Sequence, residues 1–359
     1  MSVSAWKVIG ASGFVGSSIL TRLKIDGIEA DPIEAPRLAT SQRDANQIIR
    51  DARKLEGIID SLADSFAGAE VVINASGLAA PNQQDIAPLL GANALLPAVI
   101  AIAAQRTGVK RLIHLSSAAV QGPRPVLDDS PRTEPFSAYS YSKALGEDVL
   151  LRIADYVEEK AAAGVAPGSA NSSFPAAPSF SPASVSAHHA LETCIVRATS
   201  VQGAGRRTTE SFAKFSSSPL ASVAGSGSYK SPVSSSYALA EFVSMLGQFS
   251  GELPRIVVQP WEGTTCESVI VDAGRRRPLH IPAPLCTVAV KAGYALSGLL
   301  NDRLQGSVRR AEVMWFGQDV DDSWARENGL LPQHRVQEVL RSAHLGLGKK
   351  YDRKFKKDK

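Results

Sequence analysis

A chain of 359 residues with 44% apolar and 21% charged side chains can bury a large core and is too apolar for global disorder. Its net charge of +4 is concentrated at one end: residues 349–359 hold seven Lys/Arg against two Asp, which leaves the rest of the chain at −1 and gives no basis for specific nucleic-acid binding. Three scattered cysteines, Cys194, Cys266 and Cys286, form neither a disulfide framework nor a metal-ligand pattern and read as buried, reduced thiols.

The N-terminal stretch "MSVSAWKVIGASG" lacks a secretory pattern, and no uninterrupted apolar run approaches the ~20 residues of a membrane-spanning helix, so no transmembrane segment is expected and the setting is read as cytoplasmic. "AWKVIG" predicts a first strand, "FVGSSILTRLKIDG" a helix closed by Gly27, and "GIEADPIEA" a second strand weakened by Pro32. A helical segment follows from about Ser41 to Phe66 with a break at Gly57, then a strand in "AEVVINASG". "IAPLLGANALLPAVIAIAAQRTG" predicts one long helix ending at Gly108, "VKRLIHLSS" a strand, and "AYSYSKALGEDVL" a helix after a Pro-rich loop. The alternation predicts βαβ units around a parallel sheet, an α/β fold.

Residues 158–188 are rich in Ala, Ser and Pro, nearly uncharged, and read as a flexible surface insertion. "LETCIVRATSVQG" then resumes as a buried strand and loop, and strand and helix signals continue through "RIVVQPW" and "PLHIPAPLCTVAVKAGYALSGLL". "RRAEVMWFGQDVDDSW" is a dense Arg/acid/aromatic patch, either a helix packed on the core or part of a pocket lining. The organisation expected is an NAD(P)-binding domain over 1–200, a smaller lobe over 201–345 with some sheet-completing elements, and a basic solvated tail over 346–359.

Two stretches carry chemistry. In "VIGASGFVG", Gly10, Gly13 and Gly16 fall between a strand and a helix, where glycine permits a tight turn and close approach of a pyrophosphate, with Ser12, Phe14 and Val15 at the free N–H end of the helix. Tyr139 and Lys143 stand at i and i+4, on one helix face, which alone suits either a catalytic pair or a polar stripe.

With "GASGFVG", "SSAAVQG" and "PFSAYSYSKALGE" in this order, the chain resembles the extended short-chain dehydrogenase/reductase superfamily, and within it the NAD-dependent epimerase/dehydratase family, whose members usually act on nucleotide sugars. The resemblance covers most of residues 5–245 and extends loosely to about 345. It implies a Rossmann-like doubly wound parallel sheet with a smaller C-terminal substrate-binding lobe. It also implies that Ser117 and Tyr139 contact the substrate oxygen, that Tyr139 is the acid/base, and that Lys143 lowers its pKa and holds the nicotinamide ribose. Asn93 matches a supporting helix asparagine or is a helix-breaking or capping polar residue. Gly77 would lie beside the cofactor, and Ser200 falls where relatives carry a substrate-contacting polar residue. Glu34, near the end of the second strand, favours NAD; Arg37, three residues on, suits the extra phosphate of NADP. No clean third strand is visible.

The family's 4,6-dehydratases carry an Asp-Glu pair after the catalytic hydroxyl, where this chain has Ala118 and Ala119, so dehydration is disfavoured. Epimerisation of a nucleotide sugar, or NADPH-dependent reduction of a keto-sugar or other carbonyl, stays open. So does a non-catalytic nucleotide-binding sensor or scaffold, because "VSSSYALAEF" lacks the family's Asp. The expected partner is a small molecule, with a homodimer left open. No metal is expected: six histidines are scattered, and the one adjacent pair, His188 and His189, lies in the low-complexity Ala/Ser/Pro-rich insertion.

Overall fold

In the computed structural model, residues 5–79, 85–162, 191–300 and 304–346 are described. The first half alternates β1 (Ala5–Ile9), α1 (Phe14–Ile25), β2 (Ala30–Ile33), α2 (Ala45–Arg53), α3 (Glu56–Phe66), β3 (Ala69–Asn74), α4 (Ala87–Leu90), a π-helical turn (Gly91–Leu95) and α5 (Leu96–Arg106). β4 (Arg111–Ser117), a tight 3-10 turn (Ala118–Gln121), β5 (Val126–Leu127) and α6 (Ala138–Ala162) complete it. After β6 (Glu192–Ala198) and β7 (Ser200–Gln202) come α7 (Arg207–Ser216), β8 (Ser222–Ala224), β9 (Val233–Ser235), α8 (Ser236–Gln248) and β10 (Ile256–Val258). The chain continues through α9 (Cys266–Gly274), β11 (Leu279–Ile281), α10 (Ala283–Leu299), α11 (Gln305–Phe316), β12 (Asp319–Val320), α12 (Ser323–Glu327) and α13 (Val336–His344).

Six strands form one parallel sheet in the order β10-β6-β4-β3-β1-β2. The winding reverses between β1 and β3, which opens a crevice at the carboxyl ends of those strands. Pro32 is tolerated because β2 is the sheet edge and its missing N–H faces no further strand. Residues 34–44 run across the neighbouring helix instead of forming a strand: Thr40 N donates to Ala87 O at 3.2 Å.

Apolar layers cover both faces. Ile48, Ile59, Phe66, Val99, Leu112 and Val149 pack α2 to α6 on one face; Trp6, Val8, Ile19, Leu23, Phe242 and Val243 pack α1 and α8 on the other. Burying side chains of this size is worth ~1.5–3 kcal/mol each, which makes these layers the main favourable term. Ala213, Val223, Ile270, Val336 and Leu340 build a separate core joining α7, β8, α9 and α13. All three cysteines are buried and unpaired.

Some boundaries differ from the sequence reading. The helix over 41–66 is two helices: Asp44 caps α2, accepting from Gln47 N at 2.8 Å, and the break falls at Lys54–Leu55. Gly57 lies exposed inside α3, where a glycine costs only about 1 kcal/mol and need not end a helix. The insertion's first residues continue α6 to Ala162, and Glu158 pairs with Arg255 at 2.6 Å; residues 163–190, including His188 and His189, lie outside the described residues. So does the tail from 347.

Ala87–Arg106 also departs from the expectation that no run reaches membrane-spanning length: it is long and apolar enough to cross a bilayer. It is mostly buried, packed against α2, α3 and α6, and a helix enclosed on all sides is apolar all round. Tyr294, Arg309 and Glu312 show that "RRAEVMW" packs: Arg309 is buried, donating to Glu312 and to Gly122 O at 2.8 Å each, while Tyr294 OH donates to Glu312 at 2.6 Å.

Candidate active site

The glycine-rich turn closes β1. Gly10 has φ +77°, and a Cβ there would meet Ser76 backbone at 2.7 Å; a Cβ on Gly16 would meet Gly10 O at 2.2 Å. The turn, α1 and the end of β3 therefore interlock only without side chains. Gly13 is the N-cap of α1, no side chain caps that end, and its first turn holds no acidic residue. The free N–H groups of a 12-residue helix are thus open to an anion, with Ser12 exposed and Phe14 and Val15 half-buried beside them.

Gly77 lies one strand over, beyond β3. Asn93, in the π turn, accepts from Leu78 N at 3.0 Å and donates to Leu78 O and to Ser142 Oγ, each at 2.9 Å. A Cβ on Gly77 would stand 2.9 Å from both Asn93 Oδ1 and Lys143 Nζ. Asn93 is thus neither a cap nor a helix breaker: it ties the loop after β3 to α6.

Ser117 ends β4. Its Oγ accepts from Ala119 N at 3.2 Å, and the hydroxyl stands on the Tyr139 side, close enough to act on the phenol. Burial raises the Tyr139 phenol above its ordinary value, while the Ser117 hydroxyl and the Arg206 cation pull it back. Lys143, 5% exposed, donates from Nζ to Leu115 O at 2.9 Å. Burial pushes its ammonium down to about 8 against the opposing charge of Glu147. Arg206 is a cation that acts on the phenol, and Lys143 is drawn inward to the β4 carbonyl.

Arg206 is the residue that sequence reading missed. Its guanidinium lies 4.8 Å over the Phe14 ring centroid and donates to Val201 O, so it bridges the glycine-rich turn and the Tyr139 side of the crevice. Burial lowers its pKa, opposed by Tyr139. The only signal was its place in "GAGRR", directly after the strand and loop "RATSVQG".

Two buried networks support these groups. Asn74 Oδ1 accepts from Ser76 N at 3.1 Å and Ser76 Oγ at 2.5 Å, so its amide nitrogen faces His114 Nδ1 at 3.0 Å. That fixes a neutral His114 with its proton on Nε2, and burial and then Lys143 hold it well below the usual imidazole range. Glu147, one turn beyond Lys143, accepts from Ser116 Oγ at 2.5 Å and pairs with Arg197 at 2.7 Å. Arg197 in turn donates to Asp128 O and Ser130 O, at 2.9 and 2.6 Å.

Other candidates stand apart. Ser200 is exposed on β7 and accepts from Gln202 Nε2 at 3.1 Å; no contact among the described residues joins it to Ser117, Tyr139 or Lys143. Glu34 and Arg37 are both exposed just past β2. Among the described residues no group of three His, Cys, Asp or Glu could hold a metal ion.

Residues 6–166 match the model of the NAD dependent epimerase/dehydratase family. No curated protein matches the chain. Among solved structures it is similar to MoeE5 in complex with UDP-glucose and NAD, at 17% identity and a TM-score of 0.60 over 97% of this chain and 100% of that one. It is also similar to UDP-glucuronic acid 4-epimerase from Bacillus cereus in complex with NAD, at 12% identity and a TM-score of 0.60 over 96% of each chain. A third is dTDP-4-dehydrorhamnose reductase from Bacillus anthracis in complex with NADP, at 14% identity and a TM-score of 0.54, over 96% of this chain and 99% of that one. At these identities the likeness is one of fold, and it extends beyond the family match into the C-terminal lobe.

Proposed function

We propose that this protein is an NAD-dependent nucleotide-sugar epimerase whose acid/base is Tyr139. The observation that carries the reading is that the Ser117 hydroxyl, at the carboxyl end of β4, acts on the buried Tyr139 phenol, with Lys143 one turn behind it and against the Gly77 loop. The chain's own cradle fits a dinucleotide: the side-chain-free turn of Gly10, Gly13 and Gly16 and the open end of α1 suit its pyrophosphate, and Gly77 with Lys143 suits its ribose. When bound, the dinucleotide supplies hydride exchange at a sugar carbon.

Tyr139 takes the proton of the sugar hydroxyl and later returns it, Ser117 holds the same oxygen, and the Arg206 cation favours the phenolate. Ala118 and Ala119 supply no acid or base for eliminating water. NAD is favoured by Glu34, whose exposed carboxylate would accept from the ribose 2′-OH and repel a 2′-phosphate. The similar structures bound to UDP-glucose with NAD, or to NAD alone, agree with this reading. Reduction of a keto-sugar is the second reading, on the strength of Arg37, equally exposed three residues on and suited to NADP.

A screen of nucleotide sugars with NAD and with NADPH tests both readings. On the sugar that is turned over, Tyr139→Phe should lower turnover by about 10² or more while calorimetric dinucleotide binding changes little. Unchanged turnover would remove Tyr139 from the chemistry, and turnover only with NADPH would select the reductase.

A further inference from the structure

The C-terminal lobe carries an apolar helix face that none of the described residues covers. α10 packs inward through Cys286, Val290 and Ser297, with Gly293 against Val308 of α11. On the opposite side, Leu285, Val288, Ala292, Leu296 and Leu299 follow at intervals of three and four residues, which aligns them along one stripe about 21 Å long. The large members are solvated: Leu285 is 62%, Val288 65%, Leu296 51% and Leu299 82% exposed. Scattered exposed leucines are ordinary, but a straight stripe of them on one helix is an unpartnered face.

Two more exposed leucines stand at the lobe surface leading into this helix. Leu279 N donates to Ala221 O at 2.8 Å, which brings Leu279, 55% exposed, beside Leu220, 76% exposed. β11 then leads into α10 after a single residue, Pro282.

Charge decides what this face takes. From Arg275 to Leu300 the chain holds Arg275, Arg276, Arg277 and Lys291, all exposed, and no Asp or Glu. A two-fold contact with a second copy would set these cations against their own counterparts. An apolar stripe on a helix whose one charged residue is Lys291, with Arg275–Arg277 exposed on the segment leading to it and Glu267 meeting His280 there, matches instead a surface with an apolar interior and anionic head groups.

We propose that the α10 face is a peripheral docking surface for an anionic lipid bilayer, with the leucine stripe entering the head-group boundary and Arg275–Arg277 and Lys291 meeting lipid phosphates and carboxylates. The helix lies in the plane of the membrane: it is 17 residues long, short of a span, and its inner face stays packed on α11. The site chemistry proposed above plays no part in this inference.

Flotation of the full chain with vesicles tests it. Vesicles of equal parts phosphatidylcholine and phosphatidylserine should carry the protein, less so at high salt, and phosphatidylcholine alone should carry much less. Leu285→Gln/Leu296→Gln/Leu299→Gln should lower partitioning to the anionic vesicles on the order of 100-fold with an unchanged thermal melt, since each change withdraws one leucine from the apolar layer. Arg276→Gln/Arg277→Gln/Lys291→Gln should lower it at least about tenfold and abolish the salt dependence. If the triple leucine variant melts early, Leu299→Gln alone, at the most exposed position, carries the test with a drop of roughly tenfold. Absence of wild-type binding to either vesicle overturns the proposal, as does a leucine variant that binds like the wild type. A lipid-free dimer in light scattering that the leucine changes dissolve overturns it too, and assigns the face to a second copy.

Discussion

Lys143 shows how much burial alone changes a residue. Its ordinary value of 10.5 is pushed down to about 8 because the ammonium is enclosed at the end of β4, and Glu147 offsets this only in part. The sign for stability follows from proton counts. Below pH about 8 both folded and unfolded chains hold the proton, so the folded state bears the full cost of a buried charge. Between about 8 and 10.5 the unfolded chain holds more protons, and this residue's contribution makes stability rise with pH. The pH profile of Lys143 modification by an acylating reagent, read by peptide mass, should show a midpoint about 8 in the protein without dinucleotide; a midpoint at the ordinary lysine value would contradict the buried geometry. The i, i+4 spacing of Tyr139 and Lys143 was legible in the sequence because a helix sets it locally. The direction of the lysine was not, because Leu115 O, its acceptor, lies 28 positions upstream.

The segment from Ala87 to Arg106 is where element-level reading fell short. Apolar periodicity cannot separate one π turn from continuous α-helix, since the two differ by a single residue in the turn. Contacts from elsewhere hold the turn: Leu38 O would stand 1.9 Å from a Cβ on Gly91, and Asn93 bonds both backbone groups of Leu78. Asn93→Ala removes three hydrogen bonds and leaves Leu78 unpaired beside the cofactor cradle. Urea unfolding should show a loss of about 1–3 kcal/mol, and calorimetry a weaker dinucleotide affinity. Lost stability with unchanged affinity would show that the Gly77–Leu78 loop does not depend on Asn93. The α2–α3 boundary was misplaced for a related reason: an exposed glycine punctuates a sequence more strongly than it breaks a helix that tertiary packing supports.

At the scale of the molecule, Arg197 and Glu147 join three parts of the chain. Arg197 on β6 is fully buried, Glu147 on α6 nearly so, and the guanidinium also holds the carbonyls of Asp128 and Ser130 after β5. Ser116 donates to the same carboxylate, so the strand end that presents Ser117 rests on this pair. Removing one partner leaves a buried charge uncompensated, so Arg197→Met should cost roughly 3–5 kcal/mol, whereas Arg197→Met/Glu147→Leu should cost less than the single change. Denaturant titrations of both variants check this; a double variant weaker than Arg197→Met would mean that the pair contributes net attraction as well as mutual compensation.

What the sequence determined by itself was local: a strand, a glycine turn and an open helix end in "VIGASGFVG", a hydroxyl at the end of the fourth predicted strand, and a tyrosine and lysine one helical turn apart. Backbone sterics and helical spacing act over a few residues, and a linear string carries them. Only the tertiary structure decided that the Arg206 cation acts on the Tyr139 phenol, that Asn93 anchors the Gly77 loop, that His114 is neutral with its proton on Nε2, and that α10 turns its leucines outward. Each of these depends on burial and on partners many positions away, and desolvation is a property of what surrounds a residue, not of its neighbours along the chain.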